Sequence, residues 1–335
     1  MMRYLLLFFG LSLLTACSDA TKNTGQRIDF VGSTRLTSSN KSTSTPGDTL
    51  ASRIYAEANP DDPSQILTRL RITVTYTPRR NPFLYPTPVS SINRDSINNN
   101  PDAGLIYLDT LLTATPKSLL FTSVFGVRTT TGSERWEYAL LNPDTTVQAS
   151  RAFRVNMRRT DSLNTYHDYT LNLPASAYGS AARRFIDLKT GLVYPTYSLT
   201  GTVSNPQLQK QTDLILLPNA ARLAAPADPS ITLNSRWLAT NRQHALFNLT
   251  ILTATTFPDV QDTISIRQQF VASSATMRLS NLAVGQVYAF HTYDNSINSI
   301  DPKKPVYGLM RVVSLPVGST AGLQFQVRLA KQPRI

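Results

Sequence analysis

Three histidines, three glutamates and one cysteine are the side chains of this 335-residue chain best suited to reaction chemistry. His167, His244 and His291 are scattered, and no HxH or HxxxH pair occurs, so a zinc site has no local scaffold. Glu134 and Glu137 flank Trp136 at a separation that invites a glycosidase reading, since cleavage of a sugar linkage needs two carboxylates facing one bond. An odd separation on a strand sends the two to opposite faces, however, and they cannot share a substrate. Neither a G-x-S-x-G elbow nor a phosphate-cradling glycine loop is present. The residues point to no catalyst, no metal and no cofactor. A hydrolase working through aspartates that nothing in the sequence marks out is the alternative.

Two Asp/Asn-rich stretches, 93–102 and 294–301, set oxygen donors close together, as a hard cation requires. Both lack the central glycine and terminal glutamate of an EF-hand, and Asn and Asp favour turns for local reasons, so turns are expected there. A binding surface is better supported. Thr77 to Pro86 follows a confident strand and cannot prolong it, because its three prolines lack ladder donors. Arg79, Arg80, Phe83 and Tyr85 then stand on a stiff loop whose guanidinium groups and rings suit a glycan or a protein partner.

The elements that must carry these residues are strands. Leu70, Ile72, Val74 and Tyr76 alternate with polar residues and share one face. Similar runs follow at 105–115, 118–127, 134–141, 149–157 and 169–173, separated by breakers such as Asn142-Pro143-Asp144. Later strands are expected at 212–217, 246–255, 286–293, 306–315 and 323–329, with one short helix within 259–272. Glu and Lys are scarce while Thr, Val, Leu and Tyr are plentiful, which favours strands over long helices. Length suggests two domains. The expected architecture is mainly all-β: an immunoglobulin-like β-sandwich over 51–175, then a second β-rich domain over 180–335.

Net charge is +12, carried mostly by arginine. The arginines are dispersed and often alternate with apolar residues, as Arg69 and Arg71 do, which is how a solvated sheet face reads; nucleic-acid binding is not expected.

Leu5 to Leu14 is an apolar run after Arg3, too short to span a bilayer, and it leads into Leu14-Thr15-Ala16-Cys17. This segment resembles the lipobox of bacterial lipoproteins. The resemblance implies that residues 1–16 are a signal peptide and that Cys17 is lipidated; 17–50, polar in composition, then reads as a flexible tether to the membrane with one edge strand at Asp29-Phe30-Val31. It also implies an outer-membrane location, on the periplasmic or the external face.

Gly132 to Tyr138, Val284 to Thr292 and Tyr307 to Val312 resemble strand signatures of Bacteroidota outer-membrane lipoproteins built from immunoglobulin- or PKD-like modules. A variant resembles accessory lipoproteins of starch-utilisation systems, which implies exposed aromatic platforms at Trp136 and Trp237. Asp followed by Ser or Thr and then an apolar residue or Thr recurs at Thr49, Ser96, Thr110, Thr145, Ser162 and Thr263, and resembles the O-glycosylation motif of exported Bacteroidota proteins. Taken together, the sequence reads as a lipid-anchored, non-catalytic envelope protein that binds a glycan or an outer-membrane protein, or acts as a spacer.

Overall fold

The computed structural model describes residues 25–43, 49–78, 104–113, 116–157, 164–174, 179–218, 222–294, 304–316 and 322–331. Strands account for 48% of it and helix for 10%, so the chain is all-β and sandwich-like, as composition and periodicity lead one to expect.

The first nine strands are β1 (Arg27–Phe30), β2 (Lys41–Thr43), β3 (Thr49–Glu57), β4 (Arg69–Pro78), β5 (Leu105–Leu111), β6 (Ser118–Gly126), β7 (Gly132–Leu141), β8 (Val147–Met157) and β9 (Tyr166–Leu173). Strands β1, β3 and β6 make a three-stranded sheet, and β2-β8-β7-β4-β5 a five-stranded one. Period-two alternation decides which side chains meet between them. Ile54 and Phe125 from the first sheet pack against Ile72, Val74, Trp136 and Phe153 from the second. The rings of Phe125 and Trp136 lie 4.0 Å apart. Burying each such aliphatic or Phe side chain contributes about 1.5–3 kcal/mol over leaving it in water.

Part of the expected tether is therefore sheet. Residues 27–30 run antiparallel to 54–57, and 41–43 run parallel to 155–157. Ile28 is buried, and the Phe30 ring packs edge-on against Tyr138 and Phe153, each 5.2 Å away. That apolar anchorage, with ladder partners supplied by distant strands, offsets the cost of ordering a polar segment.

The second half adds β10 (Arg183–Asp187), β11 (Leu192–Pro195), helices α1 (Thr196–Thr200) and α2 (Pro206–Gln211), β12 (Leu214–Leu216), β13 (Leu223–Ala224), β14 (Leu246–Leu249), helix α3 (Thr263–Gln268), β15 (Arg278–Leu279), β16 (Val287–Tyr293), β17 (Pro305–Ser314) and β18 (Leu323–Ala330). They form the sheets β11-β10-β12-β13-β15 and β14-β16-β17-β18-β9. The former is buried on both faces. Phe185, Tyr194 and Ile215 join the core of the first half, whereas Ile186, Val193 and Leu214 face Leu171, Phe247, Phe290 and Phe325 of the latter. Strand β9, within 51–175, pairs along its whole length with β18, so the two halves share a sheet as well as a core.

Candidate functional site: an aromatic groove beside α3

The β14-β16-β17-β18-β9 sheet is apolar on both faces, and this creates the site. Even-numbered β16 residues Tyr288 and Phe290 point into the core between the sheets. Val287 and Ala289 point the other way, where Phe257, Val260 and Ile266 cover them together with Leu309 and Ala330. The covering segment is short and needs holding. The buried Arg328 guanidinium donates to the carbonyls of Phe257 at 3.1 Å and Val260 at 2.6 Å, and pairs with Asp168 at 2.8 Å. Asp262 caps α3, accepting the backbone N–H groups of Ile264 and Ser265 at 2.8 Å each. Those hydrogen bonds, with the Ser265 hydroxyl foremost, hold the Asp262 carboxyl below its ordinary range. On edge strand β14, Asn248 donates to Gln269 O at 3.1 Å and accepts from Val271 N at 3.0 Å, which pins Phe270 against the sheet.

Coverage stops there. Beyond α3 the same face continues as His291 and Tyr293 on β16 and Tyr307 on β17, leaving an open groove of about 340 Å³ lined by Arg267, Phe270, Lys304, Pro305 and Tyr307. His291 is wedged among three rings: Tyr293 at 4.9 Å, Tyr307 at 5.0 Å and Phe270 at 5.4 Å. Phe270 and Tyr307 meet edge-on at 5.9 Å, and the Arg267 guanidinium stands 5.7 Å over the Tyr307 ring. Burial lowers the His291 pKa, so the ring is neutral near pH 7. Arg267 and Lys304 form no ion pair among the described residues. Asp294, just past the end of β16, donates its backbone N–H to Lys304 O at 3.1 Å and is not a lining residue. The groove thus offers aromatic faces and two cations to a small ring-bearing ligand.

Two further charge clusters are closed to solvent. Lys189 Nζ lies 2.7 Å from Asp213 and 3.3 Å from Asp187, and Asp213 also accepts from the Thr292 hydroxyl and from Leu188 N. Burial pushes the Asp213 carboxyl up to about 6, against the pull of Lys189. Glu134, fully buried, is 3.2 Å from Arg128 and accepts the Trp136 indole N–H at 3.0 Å. Burial raises its pKa as well. Glu137 sits on the opposite face with Arg135, as alternation predicts. These clusters join elements and open onto no cleft.

Cys17, Arg79, Arg80, Phe83, Tyr85, Ser96 and Ser162 lie outside the described residues, as do 93–102 and most of 294–301. Among the described residues no group of three or more His, Cys, Asp or Glu could share a metal ion. Thr49 and Thr145 are exposed, with hydroxyls that no group among the described residues engages. Thr110 instead shares a hydrogen bond with the Thr202 hydroxyl at 3.0 Å, and Thr263 donates to Thr165 O at 3.1 Å. The expected platforms at Trp136 and Trp237 are overturned: both rings are buried, the first beside Phe125, the second beside Phe185. Arg69 and Arg71 are not simply solvated either. Both clamp Asp109, at 2.7 and 2.9 Å, and this contact raises the Arg69 pKa.

The groove residues were missed as a set because they come from three separate segments. One signal was available: His291, Tyr293 and Tyr307 are aromatic at the outward positions of strands whose inward positions are already apolar. No protein-family model matches the chain, and no curated protein matches it.

Proposed function

We propose that this chain is a lipid-anchored, non-catalytic protein of the bacterial outer membrane that binds a glycan or a partner protein in the groove beside α3. The groove carries the binding part of this reading: open and concave, it combines the rings of Phe270 and Tyr307 with two cations that no carboxylate of the described residues neutralises. Among the described residues its lining contains no carboxylate, whereas hydrolysis of a sugar linkage needs two, which favours binding over the hydrolase alternative. The apolar run ending at Cys17 carries the anchoring part. The loop bearing Arg79, Arg80, Phe83 and Tyr85 is a second candidate contact, and Thr49 and Thr145 are the modification candidates with accessible hydroxyls.

A glycan array probed with the wild-type chain and with Phe270→Ala/Tyr307→Ala tests the binding part. Affinity for the bound glycans is expected to fall about ten-fold or more in the double variant, the loss of two stacking faces. Unchanged binding by the variant would move the site elsewhere.

A further inference from the structure

Taking the groove as the binding site, we infer that its ligand is an acidic sugar unit, a pyranose ring carrying a carboxylate within a polysaccharide. Three observations converge on that chemistry. The first is charge. Several arginines elsewhere in the molecule pair with carboxylates: Arg69 and Arg71 with Asp109, Arg128 with Glu134, Arg278 with Asp228, Arg328 with Asp168. Arg267, exposed, and Lys304, half-buried, both line the groove, and neither pairs with a carboxylate among the described residues. An anion in the groove would meet both cations, and a guanidinium fork held over Tyr307 matches a carboxylate with two parallel N–H donors.

The second observation is shape. At about 340 Å³ the groove is at the low end of small-molecule clefts, roughly 300–1,000 Å³, and it has room for a ring or two. A folded protein partner needs roughly 800 Å² of surface on each side, far more than five lining residues supply. The third is the surface the ligand meets. Phe270 and Tyr307 cross edge-on, so one ring face and one ring edge are offered together. The electron-rich ring face suits the C–H face of a pyranose, and the Tyr307 hydroxyl suits its ring substituents. The described lining residues offer two cations and no basic row, which suits a single anionic group better than a phosphate polymer.

Titration calorimetry on the full chain in detergent, at low salt, tests this with three probes: tetragalacturonate, a neutral galactose tetrasaccharide and galactose 6-phosphate. Tetragalacturonate is expected to bind about ten-fold tighter than either of the others, and Arg267→Gln/Lys304→Gln is expected to erase that margin. Arg267→Lys keeps the charge but not the fork and should fall between wild type and the double variant. If the neutral sugar binds equally well and Phe270→Ala weakens both, the acid assignment is overturned while the groove stands as a glycan site. Tighter binding of the phosphosugar overturns the carboxylate in favour of phosphate. Tetragalacturonate binding indifferent to Arg267, Lys304 and Phe270 overturns this inference and the groove together, as does no binding of any probe at millimolar concentration.

Discussion

Thr145 shows how one backbone angle constrains a sequence. The β7–β8 connection passes through Pro143, Asp144 and Thr145, with Thr145 N donating to Asn142 O at 2.9 Å and Asn142 N to Thr146 O at 3.0 Å. A three-residue hairpin of this kind turns on a left-handed residue, usually glycine, yet Thr145 occupies it at φ 71°. The left-handed conformation costs a side chain with Cβ about 1–2 kcal/mol, while glycine adds about 0.4–1 kcal/mol of unfolded-state entropy. The strain is the larger effect. Thr145→Gly should stabilise the protein by about 0.5–1 kcal/mol, read as a higher midpoint in urea, with no change in groove binding. The turn itself was legible from Asn142-Pro143-Asp144, as was the opposite facing of Glu134 and Glu137. The fate of Trp136 was not: alternation assigns a face, and whether that face meets water depends on a second sheet contributed by residues 49–57 and 118–126.

At the scale of elements, the Lys189–Asp213–Asp187 cluster ties the β10–β11 turn to β12 and, through Thr292, to β16. Removing one partner from a buried ion pair leaves charge unpaired in the interior, which costs about 3–5 kcal/mol. Lys189→Met should lower stability by that order. The variant should also gain a pH dependence of definite sign. A carboxyl whose folded pKa is raised from 3.8 to about 6 contributes stability that is complete below the lower value and lost as pH rises through the higher one. Without Lys189 to pull it down, Asp213 should titrate higher still. Urea midpoints of Lys189→Met, relative to wild type, should therefore recover between pH 7 and pH 5; a gap that is constant or widens on acidification contradicts this account of the cluster.

The same sheet explains which elements the sequence could reveal. β4 and β8, which keep one wet face, alternate and were legible to within a few residues. In β10, β11 and β12 both faces are buried, so Phe185-Ile186 and Leu192-Val193-Tyr194 show no period of two, and β10 and β11 went unread. The single expected helix within 259–272 is present as Thr263–Gln268, shorter than the window. Helices at Thr196–Thr200 and Pro206–Gln211 were not legible, being about one turn each and specified by packing on β5 and β11 more than by pattern.

For the whole molecule, two sandwiches sharing a doubly buried sheet form the body that holds the groove, and the proposed lipid at Cys17 sets where it works. Residues 27–30 and 41–43 are docked in sheets, so the span between Cys17 and the folded body is far shorter than the tether read from composition. Cys17→Ser should abolish incorporation of labelled palmitate and release the protein from washed membranes; retention of label would refute the lipid assignment. The groove was the least legible feature, because it exists only where α3 ends before the sheet beneath it does. Hydrogen exchange of the full chain with and without tetragalacturonate tests that central claim most directly. Protection concentrated at 266–270, 289–293 and 304–308 is the predicted result, and protection confined to other strands, or none with the ligand bound, would contradict it.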